Sequence, residues 1–275
     1  MDAPYVLAMA GGTAWTPLSL PSLFAHFDLS EKTLVEDEGQ GRNELDAWPD
    51  QSGSGVIAIP ITYPDDGLTG AILRPKYVED AGDGRPGIDG RDRDIGRGLR
   101  APYSATELDY FHNASGSWTL LTSLYIPVGE TLPVIILSTG GYTGSNAGFT
   151  FWAAYFAGGY KLTLSFADGA TAVNVLETVV SPPQNSHVAL VCTPLDASPL
   201  KLYLNGVEAD EWTGALPSAA GAGPGLGLCF GNWARSGAYA GSAWVAGRFA
   251  TLCKSALSES QIAAHANWSS AAGYV

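Results

Sequence analysis

The chain is short of cations. Lys and Arg together number 14 among 275 residues, against 27 Asp and Glu, for a formal net charge of −13. Binding a phosphate backbone takes clusters of Lys and Arg, so no nucleic-acid partner is expected, and an anionic membrane surface is disfavoured for the same reason. Charge of either sign is scarce at 15%, while 46% of residues are hydrophobic, which excludes an acidic disordered chain. Cysteine is scarce too: Cys192, Cys229 and Cys253 stand singly in apolar runs. An odd number without a paired Cys-x-x-Cys excludes a disulfide framework or a zinc ribbon. Buried free thiols are expected, with a Cys192–Cys229 or Cys229–Cys253 bridge left open. No run approaches the roughly 20 apolar residues that span a bilayer, so no membrane insertion is expected. Met1-Asp2-Ala3-Pro4 brings no basic segment before the apolar Tyr5–Ala10, unlike a signal peptide. The product is expected to fold inside a cell and to act outside only on release.

What is present is glycine, proline and β-forming apolar residues. Gly 34 and Pro 17 suit many short strands joined by tight turns and suit long helices poorly. The first sixty residues give LPSLFAHFDLSE, a charged turn from Glu36 to Glu44, and LDAWPDQSGSG, with Trp48 a core anchor and Ser52–Gly55 a turn. Residues 61–100 are rich in Asp, Arg and Gly and read as loop, with short strands around Gly87–Asp89 and Leu99. Strands are expected at Trp118–Ile126, Pro133–Thr139, Phe149–Tyr155, Tyr160–Phe166, Ala172–Val179, His187–Cys192, Leu200–Leu204, Gly225–Phe230 and Trp244–Leu252. Asn205-Gly206 is a two-residue hairpin signal. Roughly ten strands with no long amphipathic segment between them argue for two packed sheets, not a parallel α/β fold. One helix is expected at the end, where Ser258 and Gln261 form a capping box and Leu257, Ile262 and Ala266 give it an apolar face.

In this order the elements resemble the concanavalin A-like lectin/glucanase superfamily in its laminin-G-like form. The landmarks are WPDQSGSG (Trp48–Gly55), GRPGIDG (Gly84–Gly90), GSWTLLTSLYI (Gly116–Ile126), the hairpin from His187 to Glu208, and VAGRFATLCKSALSESQIAAH (Val245–His265). The resemblance implies an all-β, two-sheet antiparallel jelly-roll sandwich with a short C-terminal helix. It places a sandwich domain at 46–275, and an N-terminal extension at 1–45 packed on it or on a neighbouring subunit. The leading LPSLFAHFDLSE is also similar to the approach to such domains in bacteriophage virion proteins, with Phe27 where a tryptophan is usual. That likeness implies a virion surface protein (capsid decoration, fibre or tail appendage), assembled in the host cytoplasm with other virion proteins and copies of itself. A bacterial carbohydrate-binding lectin and a glycoside hydrolase or lyase of the same fold are the alternatives.

A glycosidase needs two carboxylates facing across a cleft. The expected strands Phe149–Tyr155, Tyr160–Phe166 and Gly225–Phe230 carry none, and no Gly-x-Ser-x-Gly, His-Glu-x-x-His or P-loop occurs. A non-enzymatic module is therefore expected. Calcium, which takes hard oxygen ligands, has its richest supply at Asp80, Asp83, Asp89, Asp92 and Asp94, where Arg85, Arg91 and Arg93 compete as surface partners. Host-glycan or protein contact needs exposed aromatics beside polar groups. Tyr142 and Asn146 with Trp152 and Tyr155 are one set, and Asn232, Trp233, Arg235 and Tyr239 another. Trp212, in an Asp-Glu-Trp turn, is a third. Trp152 and Tyr155 also read as core aromatics, and any of these rings would serve an oligomer contact equally well. His187 and His265 read as structural.

Overall fold

The computed structural model describes residues 15–36, 43–61, 74–90, 98–112, 116–126, 134–140, 148–156, 159–167, 172–181, 184–216, 227–231 and 245–275. In chain order the strands begin with β1 (Leu23–Asp28), β2 (Thr33–Glu36), β3 (Asn43–Pro49), β4 (Ile57–Pro60), β5 (Lys76–Val78), β6 (Gly87–Asp89) and β7 (Leu99–Ala101). Helix α1 (Ala105–His112) precedes β8 (Trp118–Ile126) and β9 (Val134–Ser138). Three long strands follow, β10 (Gly148–Phe156), β11 (Gly159–Ala167) and β12 (Ala172–Val180). Then come β13 (Gln184–Cys192), β14 (Leu200–Leu204), β15 (Val207–Trp212), β16 (Leu228–Phe230), β17 (Val245–Gly247), β18 (Phe249–Cys253) and helix α2 (Glu259–Ala271).

Six strands form one sheet in the order β1-β18-β8-β13-β14-β15. The other runs β12-β11-β10-β9-β16-β7-β4-β3-β5-β6-β17, with β2 beside β3. The expected all-β, two-sheet antiparallel sandwich with a closing helix is what is observed. Alternation along the strands builds the space between the sheets, since successive side chains face opposite ways. Phe149, Phe151 and Ala153 of β10 and Leu162, Leu164 and Phe166 of β11 are all buried. Trp118 of the smaller sheet stacks on Phe149 of the larger at 5.6 Å. Phe27, Trp48 and Phe230 close a second aromatic contact between the sheets at 5.1–5.4 Å. β1 lies within the expected 1–45 extension and is an edge strand of the smaller sheet, paired with β18.

The tryptophan motif has a clear structural use. The Trp48 indole donates to the Asp28 carbonyl at 2.6 Å. The buried Asp50 carboxylate accepts from the His26 and Ser52 amides, each at 2.8 Å, and from the Tyr103 hydroxyl at 2.7 Å. Helix α1 was not expected from the sequence. Its signal is the Ser104–Glu107 pair, in which the Ser104 amide donates to the Glu107 carboxylate at 2.7 Å. The three cysteines are free and buried.

The outward face of the smaller sheet is covered by α2, capped by Ser258 and Gln261 as the sequence implies. A buried polar chain joins helix to sheet. His26 Nδ1 meets Thr251 Oγ1 at 2.8 Å, Thr251 Oγ1 meets His265 Nε2 at 3.2 Å, and His265 Nδ1 meets His187 Nε2 at 3.0 Å. Burial pushes His187 down to about 3 and His265 well below its ordinary value. Burial alone would raise Asp28, but hydrogen bonds from His26 and Ser30 outweigh it and hold the group at about 2.

A second internal charge ties the ends of several elements together. Arg248, 0% exposed, donates from Nε to the Pro86 carbonyl at 2.7 Å and from Nη2 to Asp83 at 2.6 Å. Its Nη1 donates to Asn185 at 3.0 Å and to the Tyr274 carbonyl at 2.8 Å. Removing one partner of a buried pair leaves the other charge uncompensated, which costs about 3–5 kcal/mol. Asp83→Asn is expected to lower unfolding free energy by that amount in a urea titration, and a loss below about 1 kcal/mol would refute the role. Histidines held neutral by folding stabilise the protein above their unfolded value, and that stability drains away as pH falls through the window between the unfolded and folded values. For His187 the window runs from 6.5 down to about 3. The thermal midpoint is expected to be level above pH 7 and to drop steadily below 6.5; a midpoint that holds or rises between pH 6.5 and 4 contradicts this.

Candidate functional site

The far edges of the two sheets, β12 and β15, run beside each other. A groove of about 500 Å³ opens between them, lined by Asn174, Val175, Leu176, Glu177, Asp210, Glu211 and Trp212. The Asp-Glu-Trp segment expected as a turn is the last stretch of β15. Both walls are bulged at the groove. The register shifts between Leu164 and Ser165, leaving Val175 unpaired on β12, and between Leu202 and Tyr203, leaving Ala209 unpaired on β15. Such extra residues bend a strand and re-aim its side chains, and they collect beside functional sites. Thr178 of β12 donates to Asp210 of β15 at 2.5 Å, tying the two walls together.

The β12 wall continues onto the outward face of β10 and β11. There the Trp152 indole donates to Ser165 at 3.0 Å, and Ser165 donates to Asn174 Oδ1 at 2.7 Å. Asn174 Nδ2 and Lys161 Nζ both donate to Glu177 Oε1 at 2.9 Å. The Lys161 hydrogen bond, with help from Asn174, holds Glu177 below the usual carboxylate range. Glu177 is therefore an acceptor, not a proton donor, at neutral pH.

Among the described residues, two buried polar atoms near here have no hydrogen-bond partner. Thr163, 0% exposed, sits in register between Trp152 and Glu177, and its Oγ1 makes no hydrogen bond. The Trp212 Nε1 is likewise buried and unpaired. Buried polar atoms are nearly always satisfied; the Trp212 indole belongs to the groove lining, whereas Thr163 lies on the outward face of β11 and is not part of it. The Trp212 ring packs against Gly214, where an added Cβ would stand 2.5 Å from it.

Of the residues expected to contact glycan or protein, Trp212 is in this groove. Tyr142, Asn146, Asn232, Trp233, Arg235 and Tyr239 lie outside the described residues. Trp152 is half-buried on the outward face and Tyr155 is 50% exposed, so neither is a core aromatic. Asn174, Glu177 and Asp210 were not singled out in the sequence. The polar residues of VNVLET and the Asp-Glu-Trp triplet were the signals.

In the stretch expected to supply calcium ligands, Asp80 accepts from the Gly82 and Gly84 amides at 2.7 and 2.8 Å. Asp83 is occupied by Arg248, by Asn185 at 2.9 Å and by Arg85 at 3.5 Å. Asp89 ends β6, while Asp92 and Asp94 lie outside the described residues. Among the described residues no group of three His, Cys, Asp or Glu is placed to hold a metal ion.

No family model matches the chain, and no curated protein does. Solved structures do. A Trypanosoma rangeli sialidase in complex with sialic acid is 14% identical with a TM-score of 0.57, over 96% of this chain and 35% of that one. The binding domain of botulinum neurotoxin DC in complex with SialylT is 10% identical with a TM-score of 0.51, over 92% of this chain and 52% of that one. The same binding domain in complex with rat synaptotagmin II is 9% identical with a TM-score of 0.53, over 86% and 51%. The chain thus spans about a third of the sialidase and about half of the toxin domain. At these identities the likeness is one of fold. It corrects one expectation, that the chain is not an enzyme. That reading rested on missing glucanase carboxylates, and a sandwich of this fold occurs in the chain of a sialidase.

A side chain at position 214 forces the Trp212 ring to move. Gly214→Ala is expected to cost about 1–3 kcal/mol of unfolding free energy, as other overpacked sites do. Stability unchanged in a denaturant titration would show that the ring does not depend on this contact.

Proposed function

We propose that this chain is a carbohydrate-recognition module and that the groove between β12 and β15 is its glycan site. The observation that carries this reading is the lining itself: an indole, an amide and carboxylates, with an indole N–H that has no partner among the described residues. A sugar ring offers an apolar face for stacking and a rim of hydroxyls that both donate and accept, which suits that combination. The sialidase with sialic acid and the toxin domain with SialylT support the reading as sandwiches of this fold found with sugars. The laminin-G-like form is supported by the ordered sequence landmarks. Display on a virion, with calcium in the stretch of residues 80–94, has the leading segment and the aspartates as its support. The named solved structures are sialidase and toxin domains and add nothing to it.

A glycan array tests the reading. The full chain is expected to retain a restricted set of oligosaccharides, and Trp212→Ala to lose them by at least roughly tenfold in affinity, the scale of one stacking contact. Arrays run with and without chelator separate any calcium requirement. Retained sugars are then incubated with the protein and assayed for new reducing ends, whose appearance would make the groove catalytic as well. Retention of no glycan, or retention indifferent to Trp212→Ala, overturns the assignment.

A further inference from the structure

The polar chain under α2 sets a limit on the protons it can hold. It begins at Asp28, whose Oδ2 lies 3.3 Å from His26 Nε2, and runs through Thr251 and His265 to His187. Each contact holds one hydrogen. With Asp28 ionised and every ring neutral, each group donates toward Asp28: His26 to the carboxylate, Thr251 to His26 Nδ1, His265 Nε2 to Thr251, and His187 Nε2 to His265 Nδ1. His187 Nδ1 is then a bare acceptor, buried and without a partner among the described residues. A proton added there is absorbed by reversing the three contacts beyond His26, which moves the charge onto His26 beside the carboxylate. A second proton has no such outlet. It sets two N–H groups against each other across the 3.0 Å His187–His265 contact, or turns the Thr251 hydroxyl hydrogen away from both rings. Either way a second cation stands where there is one carboxylate, and an uncompensated buried charge is strongly unfavourable.

The surroundings bring no second anion to the inner rings. His265 meets the rings of Trp15, Phe249 and Trp268, and His187 that of Phe249. β13 and β18 add only the Cys192 and Cys253 thiols, which burial pushes up to about 12. Beyond α2 stand the Tyr274 hydroxyl, kept protonated by burial and by Asp28, and Arg248, which holds the Tyr274 carbonyl. On the hairpin beside α2, Lys201 pairs with Glu208, and Tyr203 is acted on by Glu259 at the start of the helix. The seam that α2 buries is Ile262, His265, Ala266 and Ser269, with Trp268 half-buried beside it. Half of that seam is polar, so docking leans on the histidine contacts, and elements with few buried apolar contacts open first. We infer that α2 is an acid-released latch: a second proton on the three-histidine chain detaches the helix from the smaller sheet while the sandwich stays folded. Release bares Ile262, Trp268 and Phe249, and the device is independent of the glycan groove. Released, His265 and His187 return to their ordinary value of 6.5, whereas docking holds both below it. Docking is therefore complete above that value, and each histidine lowers the docked-to-released ratio by about tenfold per pH unit below it.

Amide hydrogen exchange of the full chain, read by mass spectrometry and corrected for the intrinsic pH dependence, tests this between pH 7.5 and 4.5. Protection of α2 is expected to be level above pH 6.5 and to fall by about thirtyfold to a thousandfold from pH 6 to 4.5, the range for one or two protons taken up on opening. At every pH the α2 amides should exchange at least roughly a hundredfold faster than those of β10 and β11, as a separate opening unit does. His265→Gln should lower the dependence of α2 protection on pH by about tenfold per unit. Three results overturn the inference: α2 protection that falls by less than about tenfold per pH unit below pH 6, equal protection of α2 and the two central strands, or an unchanged dependence in His265→Gln. The first two are read on the unaltered chain and stand even if the variant fails to fold.

Discussion

Arg248 brings a positive charge to a place without solvent, and the way that charge is met orders much of the sandwich. Its guanidinium reaches the Pro86 carbonyl and Asp83 in the Asp-rich turn, Asn185 at the start of β13, and the Tyr274 carbonyl beyond α2. Four separate chain segments thus have one geometric solution in common, because a planar fork of donors tolerates little drift in its acceptors. The Tyr125 ring lies under the same cation at 5.6 Å. Gly82 is glycine for a related reason: a Cβ there would stand 2.9 Å from the Tyr125 hydroxyl. Asp83, one aspartate of that stretch, is the anionic half of an internal clamp.

The groove depends on a different constraint. An open sandwich has edges, and exposed edge strands invite unwanted pairing unless they are bent, charged or covered. β12 and β15 are bulged and carry acids, so the devices that keep the edges apart from other chains also shape the cleft between them. Thr178 and Asp210 then fix the spacing of the walls.

Much of the fold was legible because it depends on local periodicity. Trp118–Ile126 and Leu200–Leu204 are strands at the boundaries their β-branched and apolar residues indicate, and Asn205 and Gly206 turn the hairpin with φ of 52° and 81°. The Ser258–Gln261 box begins α2 as read. Helix α1 was hidden by its low amphipathicity and by the expectation of strands around it. The site was harder to see because it joins two edges 30 or more residues apart in sequence, as the Thr178–Asp210 separation of 32 shows. Trp212 could be suspected from its acidic neighbours alone. Glu177 and Asn174 could not, because only the pairing with β11 reveals that they face outward beside Trp152.

The place of β18 in the smaller sheet has a consequence for how the chain is made. β18 lies between β1 and β8, and its Thr251 meets a residue 225 positions earlier in the sequence, His26. Contacts of such separation form late, since a long loop must close before they reward it. During synthesis, β1 and one edge of β8 must wait with unpaired backbone until β18 leaves the ribosome, an exposed state of the kind chaperones attend to.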